Sequence, residues 1–155
     1  MKRIFSFVFV IVLGVVMISS NAYASFDGSE KADIRIVLYP DGSRLEISTT
    51  ESQSFRSNFK SGAKTYTYRN SAGNIAWVAT LSASFSYDGN SSTCTAASVS
   101  TSISDNSFYI VSQSATKSSN TATAFVTIGQ TYLGIPISQN TYTITLSCDK
   151  NGNLS

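Results

Sequence analysis

The chain has 155 residues, with 11 Lys+Arg against 9 Asp+Glu, no histidine, 42% hydrophobic and 13% charged residues. Without histidine, Ser-His-Asp and Cys-His catalysis, histidine zinc sites and H-E-x-x-H proteases are excluded. A near-neutral balance without basic clusters also excludes the phosphate-neutralising surface that nucleic-acid binding requires.

The chain opens with Lys2 and Arg3, an almost wholly apolar run from Ile4 to Ile18, and then Ala22-Tyr23-Ala24. This is the layout of a signal peptide, residues 1–24, ending in a small-x-small cleavage site. The apolar run is short for a membrane span. Cleavage after Ala24 removes Lys2 and Arg3 and brings the basic residues level with the 9 acids. Residues 25–155 are then expected to be a single, formally neutral, secreted (extracellular) domain. No second apolar stretch of comparable length follows, and no cysteine lies near the cleavage site, so no stable membrane anchor is expected.

From residue 34 the pattern is that of strands. Ile34 to Tyr39, the turn Pro40-Asp41-Gly42 and the alternating Arg44 to Thr49 predict an N-terminal hairpin over 34–49. Residues 51–63 are the least regular stretch and read as a loop. Phe55 and Phe59, four apart like Arg56 and Lys60, leave room in it for one helical turn. The main sheets are expected over 64–148. Thr65-Tyr66-Thr67-Tyr68 alternates, Asn70 to Asn74 turns, and Trp77, Ala79, Leu81, Ala83, Phe85 and Tyr87 share one face of the clearest strand. Asp88-Gly89-Asn90 predicts a hairpin. Beyond it Cys94 has the opposite parity to Val99 and Ile103, so an inward Cys94 requires a bulge, placed at Ala96-Ala97. Asp105-Asn106-Ser107 leads into a short strand, Phe108 to Val111, and Lys117 to Asn120 turns again. Two long strands, Thr121 to Leu133 and Ile137 to Cys148, flank Gly134-Ile135-Pro136. The second places Tyr142, Ile144, Leu146 and Cys148 on one face.

No useful segment has the helical period, so the fold class is all-β, an antiparallel β-sandwich of about 7–8 strands. It is immunoglobulin-like only in a loose sense. The order here is Trp77, Cys94, Cys148, whereas an immunoglobulin domain sets its tryptophan between the cysteines. Export makes a Cys94–Cys148 disulfide the leading reading, worth roughly 4 kcal/mol by loop closure. The alternative is a pair of free thiols.

Trp77 to Tyr87 (WVATLSASFSY), Asp88-Gly89, Thr93-Cys94-Thr95, Ala97 to Ser100, Ser119 to Thr123, Gly134-Ile135-Pro136, Thr143 to Cys148 and the closing Gly152-x-Leu154-Ser155 come in a familiar order. In this order the C-terminal half of the chain resembles a group of small secreted β-rich proteins of Gram-positive, clostridial-type bacteria. The resemblance implies a secreted bacterial domain and supports the Cys94–Cys148 pairing. It carries over no catalytic residue.

No phosphate-cradling glycine loop is present. Asp33, Glu46, Glu51 and Asp105 are formal candidates for paired-carboxylate sugar chemistry, but carboxylates at turns and strand edges ordinarily serve as solvated groups. Asp149-Lys150-Asn151-Gly152-Asn153 mimics half a calcium loop, yet its sixth position is Leu154, so a frayed tail is expected. The sequence thus predicts no enzyme, no catalytic residues, no cofactor and no metal. The aromatics are the functional lead. Tyr66 and Tyr68 share a strand face and Tyr109 lies on a neighbouring segment, so these three are the candidate ligand-binding residues, able to stack on sugars or form a protein-binding patch. Trp77, in register with Leu81 and Phe85, reads as core. The function expected is a secreted non-enzymatic β-sandwich that binds cell-wall glycan or a surface protein. The alternative is a secreted antagonist, bacteriocin-like or toxin-like, acting on competing bacteria.

Overall fold

The computed structural model describes residues 33–52 and 58–155. Its strands are β1 (Asp33–Leu38), β2 (Arg44–Ser52), β3 (Phe59–Arg69), β4 (Ile75–Tyr87), β5 (Ser92–Ile103), β6 (Phe108–Ser118), β7 (Thr121–Tyr132) and β8 (Ile135–Ser147). They form two antiparallel sheets, β1-β2-β3-β4-β5 and β6-β7-β8, and no helix occurs among the described residues. Within each sheet every strand pairs antiparallel with its chain neighbour.

The turns use the residues their backbones require. In the β1–β2 turn Gly42 takes φ 82° and Tyr39 N–H donates to Ser43 O at 2.9 Å. In the β3–β4 turn Asn70 N–H donates to Asn74 O at 3.0 Å and Gly73 takes φ 85°. Both positions need the left-handed backbone that glycine adopts freely. The chain changes sheet once, after β5, where the Ser104 and Asp105 N–H groups both donate to Ala76 O, at 2.8 and 3.0 Å. The turns at 39–43, 70–74, 104–107 and 133–134 all lie at one end of the molecule, as the alternating strand directions require.

The alternation read along β4 is the core. Trp77, Ala79, Leu81, Ala83 and Phe85 are buried, and so are Ala122, Ala124, Val126 and Ile128 of β7 and Ile144 and Leu146 of β8. Together they make one cluster drawn from both sheets. The expected bulge exists, one residue earlier than placed. Ser84 pairs with Ala96 and Phe85 with Cys94, which makes Thr95 the extra residue, and Thr95 Oγ1 donates to Ser84 O at 3.0 Å. That extra residue is what turns Cys94 inward.

Several expectations are corrected. The Cys94–Cys148 disulfide is absent, and both cysteines are buried free thiols. Each sulfur faces a nearby carbonyl, Cys94 Sγ at 3.3 Å from Ala96 O and Cys148 Sγ at 3.5 Å from Asp149 O. Backbone bonds do the joining instead. Cys94 N–H donates to Ser119 O at 2.7 Å and Cys148 N–H to Asn120 O at 3.0 Å, so the β6–β7 turn straps the two cysteine segments together. The 51–63 loop is shorter than expected, because β2 runs to Ser52 and β3 starts at Phe59. Phe55 and Arg56 lie outside the described residues. The strand at Phe108 continues to Ser118, because a bulge at Val111 shifts its parity and hides the alternation. The last hairpin turns at Leu133-Gly134, placing Ile135 and Pro136 in β8. The tail is not frayed. Cys148 bridges Leu154, and Asp149 Oδ1 accepts from the N–H groups of Asn151 and Asn153, each at 2.8 Å.

Candidate functional site: an aromatic cleft

Pairing places Tyr68 beside Leu45 on one side and Trp77 on the other, all on the inner face of the larger sheet. The Tyr68 ring lies flat on Trp77, with centroids 5.5 Å apart and planes 7° apart. The edge of Phe108 meets it at 5.7 Å and Tyr39 at 6.0 Å. From the smaller sheet Tyr142 reaches Trp77 at 4.7 Å, tilted by 55°. Offset and edge-on contacts of this kind suit the ring quadrupoles.

Beside this cluster opens a cavity of about 480 Å³. Tyr39, Tyr68 and Tyr142 form its aromatic wall, and Asp41, Ser43 and Asn140 give it polar groups. A hydrogen-bond chain runs along one side of the cleft through the buried Ser43. Tyr68 OH donates to Ser43 Oγ at 2.9 Å, and Ser43 Oγ donates to Asp41 Oδ1 at 2.6 Å. Ser43 N–H donates to the same oxygen at 3.0 Å, and these bonds hold the Asp41 carboxyl below its ordinary range. Burial, reinforced by the neighbouring tyrosines Tyr39 and Tyr68, pushes the Tyr142 hydroxyl up to about 12. Burial also raises Tyr39. At neutral pH the cleft therefore combines aromatic faces, phenolic O–H donors and one fixed carboxylate acceptor.

The three tyrosines singled out from the sequence part company. Tyr68 is in the cleft, but half-buried and stacked on core rather than exposed on a flat sheet. Tyr66 sits two residues away on the same face and commits its hydroxyl to Thr143 O at 3.3 Å. Next to it Lys64 Nζ donates to Thr145 O at 2.9 Å, so both side chains clip β3 to β8. Burial raises the Tyr66 hydroxyl and lowers the Lys64 ammonium. Tyr109 pairs with Gly129 and lays its ring where a Cβ at that glycine would stand. Alternation puts it on the face opposite Phe108, away from the cleft.

Sequence reasoning missed Tyr39, Tyr142, Asp41, Ser43 and Asn140 as site residues. The turn signal at Pro40-Asp41-Gly42 marked the right place but gave no partner across the cleft. Glu46 is held by Arg44 and Arg69 at 2.8 and 2.9 Å, and Glu51 pairs with Lys60 at 2.6 Å. Among the described residues no three Cys, Asp or Glu side chains gather as a metal site. Comparison with family models, curated proteins and solved structures gives no match.

Proposed function

We propose that the protein is a secreted, non-enzymatic β-sandwich whose cleft between Tyr39, Tyr68 and Tyr142 binds a cell-surface ligand, with cell-wall glycan the ligand whose chemistry fits best and a surface protein the other candidate partner. The observation that carries this reading is the meeting of three tyrosines with Asp41, Ser43 and Asn140 around one cavity. Stacking on the rings supplies affinity for a pyranose face, and the exposed Asp41 and Asn140 select its hydroxyls, with the buried Ser43 holding Asp41 in place. The Ile4–Ile18 run and the Ala22-Tyr23-Ala24 site support export, as does the resemblance to small secreted proteins of clostridial-type bacteria. Face-to-face packing of the sheets is supported by the shared core and by the Trp77–Tyr142 contact.

The test is retention on purified cell-wall sacculi by wild type and by Tyr39→Ala/Asn140→Ala, two rim changes that leave the Tyr68–Trp77 stack in place. The double variant is expected to lose retention; equal retention would remove the cleft from the binding site. A second reading, an antagonist of competing bacteria, is favoured by a separate feature, the exposed apolar end of the β7–β8 hairpin. Growth inhibition on a lawn of related strains distinguishes the two.

A further inference from the structure

The last pair of the β6–β7 ladder is Phe108–Gln130, and Thr131 N–H donates to Ser107 O at 2.7 Å. Beyond this point β7 and β8 continue as a two-stranded ribbon, pairing Thr131 with Pro136 and Tyr132 with Ile135. The ribbon closes through Leu133 and Gly134 at φ 51° and 79°. A hairpin turn with both central residues at positive φ favours asparagine and glycine, so a leucine at its apex runs against local preference. Its side chain is 85% exposed, with Tyr132 and Ile135 at 67% and Ile137 at 57%. From Ser118 to Cys148 no residue is charged.

We propose that this hairpin tip docks reversibly into the interfacial zone of a lipid bilayer. The inference goes beyond the cleft reading and does not rest on it. A tip with aliphatic side chains at its apex and flanks suits the interfacial zone, where the outward-facing backbone groups of the two-stranded ribbon keep water and headgroups as partners and Pro136 brings no N–H to satisfy. Tyr132 supplies the amphipathic ring that favours the headgroup level. The two paired residues on each side of the turn, at about 3.3 Å each, reach roughly 7 Å, enough for the interface and far short of the hydrocarbon core's thickness. The charged groups at this end are Asp41 and Asp105 on the turns, with Arg44 and Arg69 sharing the Glu46 carboxylate, so the two acids offset the one unmatched arginine. No basic patch accompanies the tip, so its target is a zwitterionic surface rather than an anionic headgroup.

Co-flotation of the exported protein with phosphatidylcholine vesicles tests this, alongside vesicles in which part of the lipid is phosphatidylglycerol. Leu133→Asn suits the left-handed backbone, and Ile135→Thr keeps a β-branched residue, so the double variant is expected to melt like wild type. Wild type should float with phosphatidylcholine, no better with the anionic mixture, and the double variant about tenfold less. Tyr39→Ala/Asn140→Ala should float like wild type, which separates this proposal from the cleft. No flotation, equal flotation of the tip variant, or flotation that requires anionic lipid and vanishes in salt would overturn it. So would a concentration-dependent dimer lost in Leu133→Asn, which would make a second copy the occupant of the tip.

Discussion

Replacing Trp77 by alanine removes the side chain on which both the core and the cleft wall rest. The indole is 1% exposed, lies flat on Tyr68 at 5.5 Å and meets Tyr142 of the other sheet at 4.7 Å. Deleting a buried aromatic of this kind costs about 3–5 kcal/mol, the lost transfer free energy plus that of the cavity left behind. Set against a net stability of about 5–15 kcal/mol, a loss near 4 kcal/mol is a large share. At about 3 °C per kcal/mol for a domain of this size, the melting temperature should fall by roughly 12 °C. Urea unfolding measures the free-energy loss and thermal unfolding the melting temperature, both followed by circular dichroism because the variant lacks the chain's one tryptophan. Trp77→Phe, which keeps a ring against Tyr142, should lose roughly half as much or less. Ser100→Ala, exposed on β5, should stay within about 0.5 kcal/mol. A loss under about 1.5 kcal/mol for Trp77→Ala would refute the reasoning, because the indole would then not be closing the contact between the sheets.

Other perturbations have defined outcomes. Gly129→Ala sets a Cβ against the Tyr109 ring and should destabilise by about 1–2 kcal/mol; in a double-mutant cycle Tyr109→Ala should recover part of that, and strict additivity would show that the ring does not cover the glycine. Protein purified without reductant should give no reaction with a thiol reagent when folded and two thiols once unfolded in urea, because burial shields both sulfurs and raises the Cys94 thiol; no thiol after unfolding would establish a bond. Burial pulls the Glu46 carboxyl upward, but hydrogen bonds from Arg44 and Arg69 outweigh this and hold it below its ordinary 4.5. Its contribution to stability is therefore present above pH 4.5 and lost as pH falls through the lower folded value, and Glu46→Gln should flatten that acid limb of the stability curve. The Tyr142 hydroxyl is raised from 10.0 to about 12, so its contribution is complete below pH 10 and lost as pH rises towards 12. Tyr142→Phe should extend stability through that window, and an unchanged alkaline limb would place the hydroxyl in water.

What the sequence made legible follows from period two. On β4 each second residue from Trp77 to Phe85 is buried, so alternation located the core strand and Trp77 within it. The parity conflict at Cys94 demanded a bulge, and one lies at Thr95. Alternation fails where a bulge intervenes, as at Val111, and the strand from Phe108 therefore looked shorter than its true extent. Alternation also gives a face without naming what covers it. Tyr66 and Tyr68 share the inner face, yet β8 carbonyls engage one and the Tyr39–Ser43 turn the other, and those contacts lie 77 and 25 positions away in the chain. Alternation placed Tyr142 on one face with Ile144 and Leu146, and its position in the cleft wall depends on how the two sheets meet. The cysteines show the same limit, because compartment reasoning paired them while the structure joins their segments through the Ser119-Asn120 carbonyls.

The central claim, that the cleft is a binding site for wall glycan, is tested most directly by retention on washed sacculi at low and high salt. Stacking and neutral hydrogen bonds persist when charge is screened, so wild type should be retained at both, and Tyr39→Ala/Asn140→Ala, folded and melting near wild type, should be washed through. Retention of that double variant at the wild-type level, or no retention of wild type at either salt, would contradict the account.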